Sequence, residues 1–287
     1  MYSKKAVYFN YKSFAASFFL LLFPAALVML GGSMAIATLS LYPILGGVVI
    51  AVIIAFPGLP RLLAINANAD LKLDKFKDAL KKIKTAGRLP FAPVSVHIFA
   101  AYVLILNGML DEAKEKIDEI RLMEMSLPEK SKYSATFALL DWLRSGSAEK
   151  GLEKLAEINR RGADEAVYYV AGKLMNICRE PAEARKYNEE AMEMHPGNRG
   201  IMENLVISYC RTGQDKDAKL LFRNLYYDLK ATSDSFYYMA GIKIKENKKS
   251  DAVDFMKAAL ETEEASTCII SRSEMEKRLK EAQETSI

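Results

Sequence analysis

The chain has 287 residues, 51% of them hydrophobic, with 40 Lys and Arg against 36 Asp and Glu, a formal charge of +4. So even a balance excludes a general nucleic-acid binder, which would carry a basic domain or stripe. Three cysteines (Cys178, Cys210, Cys268) without a CxxC spacing, and two distant histidines (His97, His195), exclude a disulfide framework and a zinc site and suit a reducing compartment.

The N-terminal segment, residues 1–12, carries Lys4, Lys5 and Lys12 and no acid. From residue 13 to residue 60 there is no charged or amide side chain. Gly31, Gly32 and Ser33 split this run into apolar stretches of 17 and 23 residues, 14–30 and 34–56. At about 1.5 Å per residue these are roughly 25 and 35 Å long, against roughly 30 Å of bilayer hydrocarbon. The reading is a transmembrane helical hairpin over 13–57, kinked at Pro24 and Pro43. A buried soluble hairpin would need a polar face that neither stretch has. A cleaved leader ending near Ala35 and Ala37 explains the first stretch and leaves the second without a role.

Basic residues continue after the hairpin. From Arg61 to Arg88 there are eight, against Asp70, Asp74 and Asp78. The positive-inside tendency places both flanks (Lys4, Lys5, Lys12 and Arg61) and the rest of the chain in the cytoplasm, with a bacterial inner membrane the expected setting. Anionic headgroups are expected lipid partners of the basic segment. The same residues also suit a solvated helix face with i,i+4 pairs such as Asp78–Lys82. Pro57, Gly58, Leu59 and Pro60 form a short stiff corner, which would hold the remainder of the chain close to the bilayer.

From residue 58 the sequence is periodic. Ala79, Ala113, Gly151, Ala184, Ala218 and Ala252 are spaced 34, 38, 33, 34 and 34 apart, and most follow a Gly or Asn by five positions, as in Gly108 to Ala113 and Gly213 to Ala218. Hydrophobic spacing is helical throughout, so each period reads as two antiparallel helices with a short turn, and the whole as a stacked solenoid of about six pairs. The extra residues in the 38 spacing suit a loop at 125–131 around Pro128. Residues 271–287 read as a capping helix and tail, with a Ser271-x-x-Glu274 box and a stripe of Met275, Leu279 and Ala282.

Within 165–198, Gly172, Ala184, Ala191 and Pro196 fall at the places of the tetratricopeptide repeat (TPR) motif. So do Ala240, Asn247, Ala252 and Ala259 in 233–266, and Ala101, Gly108 and Ala113 in 94–127. Over residues 58–270 the chain resembles the TPR family. The departures are Leu139 and Val206 at mid-helix small positions and Pro181 at an aromatic one. The resemblance implies an all-α fold and a concave groove lined by first helices. Carried onto this chain, the groove positions are Ile98 and Tyr102, Tyr133, then Tyr169, Lys173 and Asn176, then Glu203, then Tyr237 and Lys245. Four tyrosines on one face offer large contact area with a polar tip. The Lys/Asn/Lys/Arg clamp for chaperone-tail carboxylates is not reproduced.

No catalytic motif is present; Ser147-x-x-Lys150 falls on an inter-helix turn. No reaction and no cofactor are expected. The expected function is a membrane-anchored scaffold that recruits a protein or peptide partner in the groove. The rival is an assembly or transport factor whose hairpin docks a membrane-protein complex, with the solenoid as support. Self-association through the second-helix faces is left open.

Overall fold

A computed structural model describes residues 58–73, 75–159, 164–229, 231–262 and 265–284. The expected hairpin at 13–57 and the flanking Lys4, Lys5 and Lys12 lie outside the described residues. Among the described residues no helix is long and apolar enough to cross a membrane, and there is no strand. The chain divides at Ala100 and Ala101 into two units.

In the first unit α1 (Leu59–Lys72) packs on α2 (Phe76–Arg88). The helix begins at Leu59, with Pro60 at an N-terminal position that needs no amide donor, so half of the stiff corner is helical. α2 buries Phe76, Ala79, Ile83 and Ala86, a helical stripe. Lys77, Lys81 and Arg88 face solvent, and Arg61 is exposed on α1. Lys82 reaches across to Asp70 of α1 at 2.5 Å. α3 (Val94–Leu106) spans the division between the units.

The second unit continues in pairs: α4 (Leu110–Ile120), α5 (Leu127–Ser145) with α6 (Ala148–Asn159), α7 (Glu165–Cys178) with α8 (Pro181–Met194), α9 (Arg199–Arg211) with α10 (Asp215–Asn224), and α11 (Ser233–Lys245) with α12 (Lys249–Glu261). A π-helical turn, Leu225–Leu229, follows α10. α6, α8, α10 and α12 each pack on their own first helix, and α4, α6, α8 and α10 also pack on the next one. The first helices α5, α7, α9 and α11 lie side by side in that order. This is an all-α helical solenoid.

The period has a simple physical cause. All six small residues stand fourth in the second helix of their pair, and the five alanines are fully buried. At Gly151 even a methyl group is too large, since a Cβ would stand 2.7 Å from Leu174 and 2.9 Å from the Ala138 carbonyl oxygen. Gly108 (φ 72°), Gly213 (φ 74°) and Asn247 (φ 58°) take the left-handed conformation that ends one helix and starts the next.

The 38 spacing is resolved differently from the expected loop. Its extra residues lengthen α5, which begins at Leu127 and runs for 19 residues. Ser126 and Glu129 form a capping box there, and Pro128 sits in the first turn. Proline signalled a loop in the sequence, but at a helix N-terminus it costs no hydrogen bond. Ser147 caps α6, its Oγ accepting from the Lys150 amide at 3.5 Å.

Buried polar groups lace three helices together. Asn188 of α8 donates to Ser208 Oγ at 2.9 Å, which donates to Asn176 Oδ1 at 2.7 Å. Asn176 donates to the Asn204 carbonyl at 2.8 Å, and Asn204 to the Tyr169 carbonyl at 2.7 Å. The C-terminal helix α13 (Arg272–Glu284) packs on α12. Met275 is fully buried in a core with Tyr237, Met239 and Met256, with Leu279 packed against it. The Ser271 Oγ accepts from the Glu274 amide at 3.3 Å.

Candidate functional site

Four of the expected groove residues converge in the second unit. Tyr102 comes from the C-terminal half of α3, Tyr169 and Lys173 lie one turn apart on α7, and Glu203 projects from α9. Gly200 makes room for them, because a Cβ there would stand 2.5 Å from the Tyr169 ring. Lys173 Nζ lies 6.0 Å from the centre of that ring. Lys173 is 4% and Glu203 5% exposed, so the cluster is interior and not an open groove floor.

The member that closes the cluster is Asp234, in the first turn of α11 and 1% exposed. Its carboxylate stands 3.6 Å from Lys173 Nζ. Ser235, the next residue, donates to Glu203 Oε1 at 3.3 Å. Burial pushes the Glu203 carboxyl up to about 7, although the Lys173 ammonium works the other way. Burial also works against the Lys173 ammonium, but the Asp234 and Glu203 carboxylates beside it outweigh that and raise its pKa, so it stays charged. Burial raises the phenols of Tyr102 and Tyr169, which therefore stay neutral.

The cluster is covered by the segment between α12 and α13. Residues 265–268 make a tight turn, closed by the Cys268 amide on the Ala265 carbonyl at 3.1 Å. Lys173 Nζ donates to the Thr267 carbonyl at 2.8 Å. The Ile269 amide donates to both Asp234 carboxylate oxygens, at 3.0 and 2.9 Å, and the Ile270 amide to Oδ1 at 3.0 Å. At the other end the Ser266 amide donates to the Leu106 carbonyl at 2.9 Å, and the Ser266 hydroxyl to the Ile105 carbonyl. The face of the first helices thus grips a peptide segment almost wholly by its backbone. A buried ammonium takes a carbonyl and a buried carboxylate takes two successive amides, both charge-assisted.

The remaining expected residues lie elsewhere. Ile98 is buried in the first unit's half of α3. Tyr133 on α5 stacks on Phe137 at 6.2 Å. Asn176 belongs to the buried amide ladder. Tyr237 is buried under the cap, with Arg278 4.9 Å from its ring centre and donating to its hydroxyl at 2.7 Å. Lys245 is exposed, 3.5 Å from Asp215. Among the described residues no three His, Cys, Asp or Glu side chains gather where they could hold a metal ion.

No family model matches this chain, and no curated protein matches it. Among solved structures, a tetratricopeptide repeat protein from Parabacteroides merdae is 14% identical, covering 91% of this chain and 98% of its own, with a TM-score of 0.51. A thermophilic TPR protein of Thermus thermophilus is 14% identical over 78% of this chain and 98% of its own, with a TM-score of 0.35. YrrB, described as a TPR protein with an unusual peptide-binding site, is 14% identical over 76% of this chain and 90% of its own, with a TM-score of 0.33. The first of these similarities agrees with the helix pairing described above: the fold is TPR-like.

Proposed function

We propose that this protein is a membrane-anchored scaffold that recruits a protein partner by gripping one of its segments on the first-helix face of the second unit. The observation that carries the reading is the cradle of Lys173 and Asp234, which holds a peptide segment by one backbone carbonyl and two successive amides. Such a surface serves recognition. It positions a carbonyl and two amides. The apolar run at 13–57 and the basic residues Lys4, Lys5, Lys12 and Arg61 supply the anchor in this reading. The exposed Lys77, Lys81 and Arg88 of α2 add attraction to anionic headgroups, about 1 kcal/mol per residue near the surface.

The test is an anchor swap. Residues 1–57 are replaced by an unrelated membrane anchor and the chain is used to capture partners from gently solubilised membranes. The scaffold reading requires that the same partner is captured with the foreign anchor. Loss of the partner on the swap assigns docking to the hairpin and overturns the reading. Retention of the native chain in the membrane pellet after alkaline carbonate washing, and its release when 13–57 is deleted, tests the anchor itself.

A further inference from the structure

The face assigned to a partner is already filled. Residues 266–270 occupy it, and the hold has the character of a ligand contact more than of a core. Ser266 is exposed, Cys268, Ile269 and Ile270 are only partly buried, and Thr267 is buried. The Ser266 hydroxyl is bonded to the face, and the Ser266, Ile269 and Ile270 amides and the Thr267 carbonyl add backbone bonds. The neighbouring helices have anchors of their own, although Ile270 also packs against the core of the last pair. α12 packs on α11, and α13 is held by Met275 in the core and by Arg278 on Tyr237. The segment can therefore leave the face while both helices stay in place.

We propose that residues 266–270 act as a built-in competitor, so that a partner segment binds the cradle only by displacing the chain's own. The proposal rests on the scaffold reading above and adds its regulation. The cradle also defines what can compete. A ligand must offer a carbonyl to Lys173 and, two and three residues further on, free amides to Asp234, so proline at either of those places is excluded. Tethering on both sides holds the chain's own segment at an effective concentration of roughly millimolar. An identical free peptide then gains the site only near that concentration, and a partner must bind more tightly or loosen the segment first.

The experiment uses the full-length protein in detergent and a fluorescent peptide copying residues 264–272, with Ser in place of Cys268. Two variants, Ile269→Pro and Ile270→Pro, each remove an amide that the chain's own segment gives to Asp234. Either opened variant with native helix content should bind the peptide with a Kd about tenfold or more below that of the unaltered chain. A control peptide with proline in place of Ile270 should not bind. Equal affinity for opened and unaltered chains, or binding of the control peptide as tight as the parent's, overturns the competition. A second measurement needs no variant. In the unaltered protein, about 10 mM peptide should accelerate hydrogen exchange at the Ile269 and Ile270 amides, and unchanged protection there counts against displacement. No cellular partner enters these assays. Their failure therefore removes the competitor and leaves the scaffold reading to be decided by the anchor swap.

Discussion

Asp234→Ala is the perturbation that tests the cradle most directly. The carboxylate accepts the Ile269 and Ile270 amides at about 3 Å and neutralises Lys173 at 3.6 Å, with side-chain exposures of 2% for Asp234 and 5% for Lys173. Hydrogen bonds to a charged group are worth about 1.5–3 kcal/mol each, and stranding one member of a buried ion pair costs about 3–5 kcal/mol. The contributions overlap, so the expected loss is about 4 kcal/mol. Lys173→Met should cost about half as much, because Asp234 keeps two amide partners, while the stranded Lys173 keeps one hydrogen bond, to the Thr267 carbonyl. Replacing both, as Lys173→Met with Asp234→Leu, should cost less than Asp234→Ala alone, since no buried charge is left unpaired. Urea unfolding followed by far-UV circular dichroism reads all three. With a slope near 2 kcal/mol/M, the midpoint of Asp234→Ala should fall by about 2 M. A loss below about 1 kcal/mol for Asp234→Ala, or a larger loss for Lys173→Met, refutes the assignment of the carboxylate as the centre of the cluster.

Glu203 makes stability depend on pH. Its folded pKa, near 7, lies above the ordinary 4.5, so its contribution to stability is fully present below about 4.5 and is lost as pH rises through 7. The lost contribution is about 3 kcal/mol, and Glu203→Gln should flatten the melting profile between pH 4.5 and 8. Gly172→Ala should destabilise by about 1–3 kcal/mol, because its Cβ would stand 2.0 Å from Asn188 Oδ1 inside the amide ladder. Gly87→Ala, with nothing within 4 Å, should stabilise α2 by up to about 1 kcal/mol. Equal effects in thermal melts would show that crowding is not what reserves position 172 for glycine. Gly213→Ala should cost about 1 kcal/mol through backbone strain alone, since φ is 74° and no atom crowds the site. Gly213→Asn should recover most of that loss, as Asn247 already serves at φ 58° in the same place.

The repeat architecture was legible because its signal is steric. A close helix crossing admits only Ala or Gly, and it recurs at the fourth residue of every second helix. Tyr102, Tyr169, Lys173 and Glu203 were legible as one face through the resemblance to TPR repeats, which implies a groove lined by first helices. Asp234 was not, since it stands one turn before the register position Tyr237, and an acid in a first turn reads as complementing the helix dipole. The covering segment was invisible for a deeper reason. It is held by amides and a carbonyl that every residue but proline carries, so no residue type marks it. Its presence is also why positions expected to be open, such as Lys173 and Glu203, are interior. The register places Asn176 on the same face, but its amide is satisfied by neighbouring helices, and only coordinates distinguish a ladder from a ligand contact.

The bond from Ser266 to the end of α3 joins residues 161 positions apart. Stacked repeats ordinarily touch only their neighbours, so they fold from any point and fray from their ends. Here a segment after the last helix pair is stitched back to the end of α3, where the second unit begins. Loop closure over that length is slow to form and comes late. The second unit therefore completes this contact only once residues 265–270 have been made, and the bond ties its first helix to its last pair.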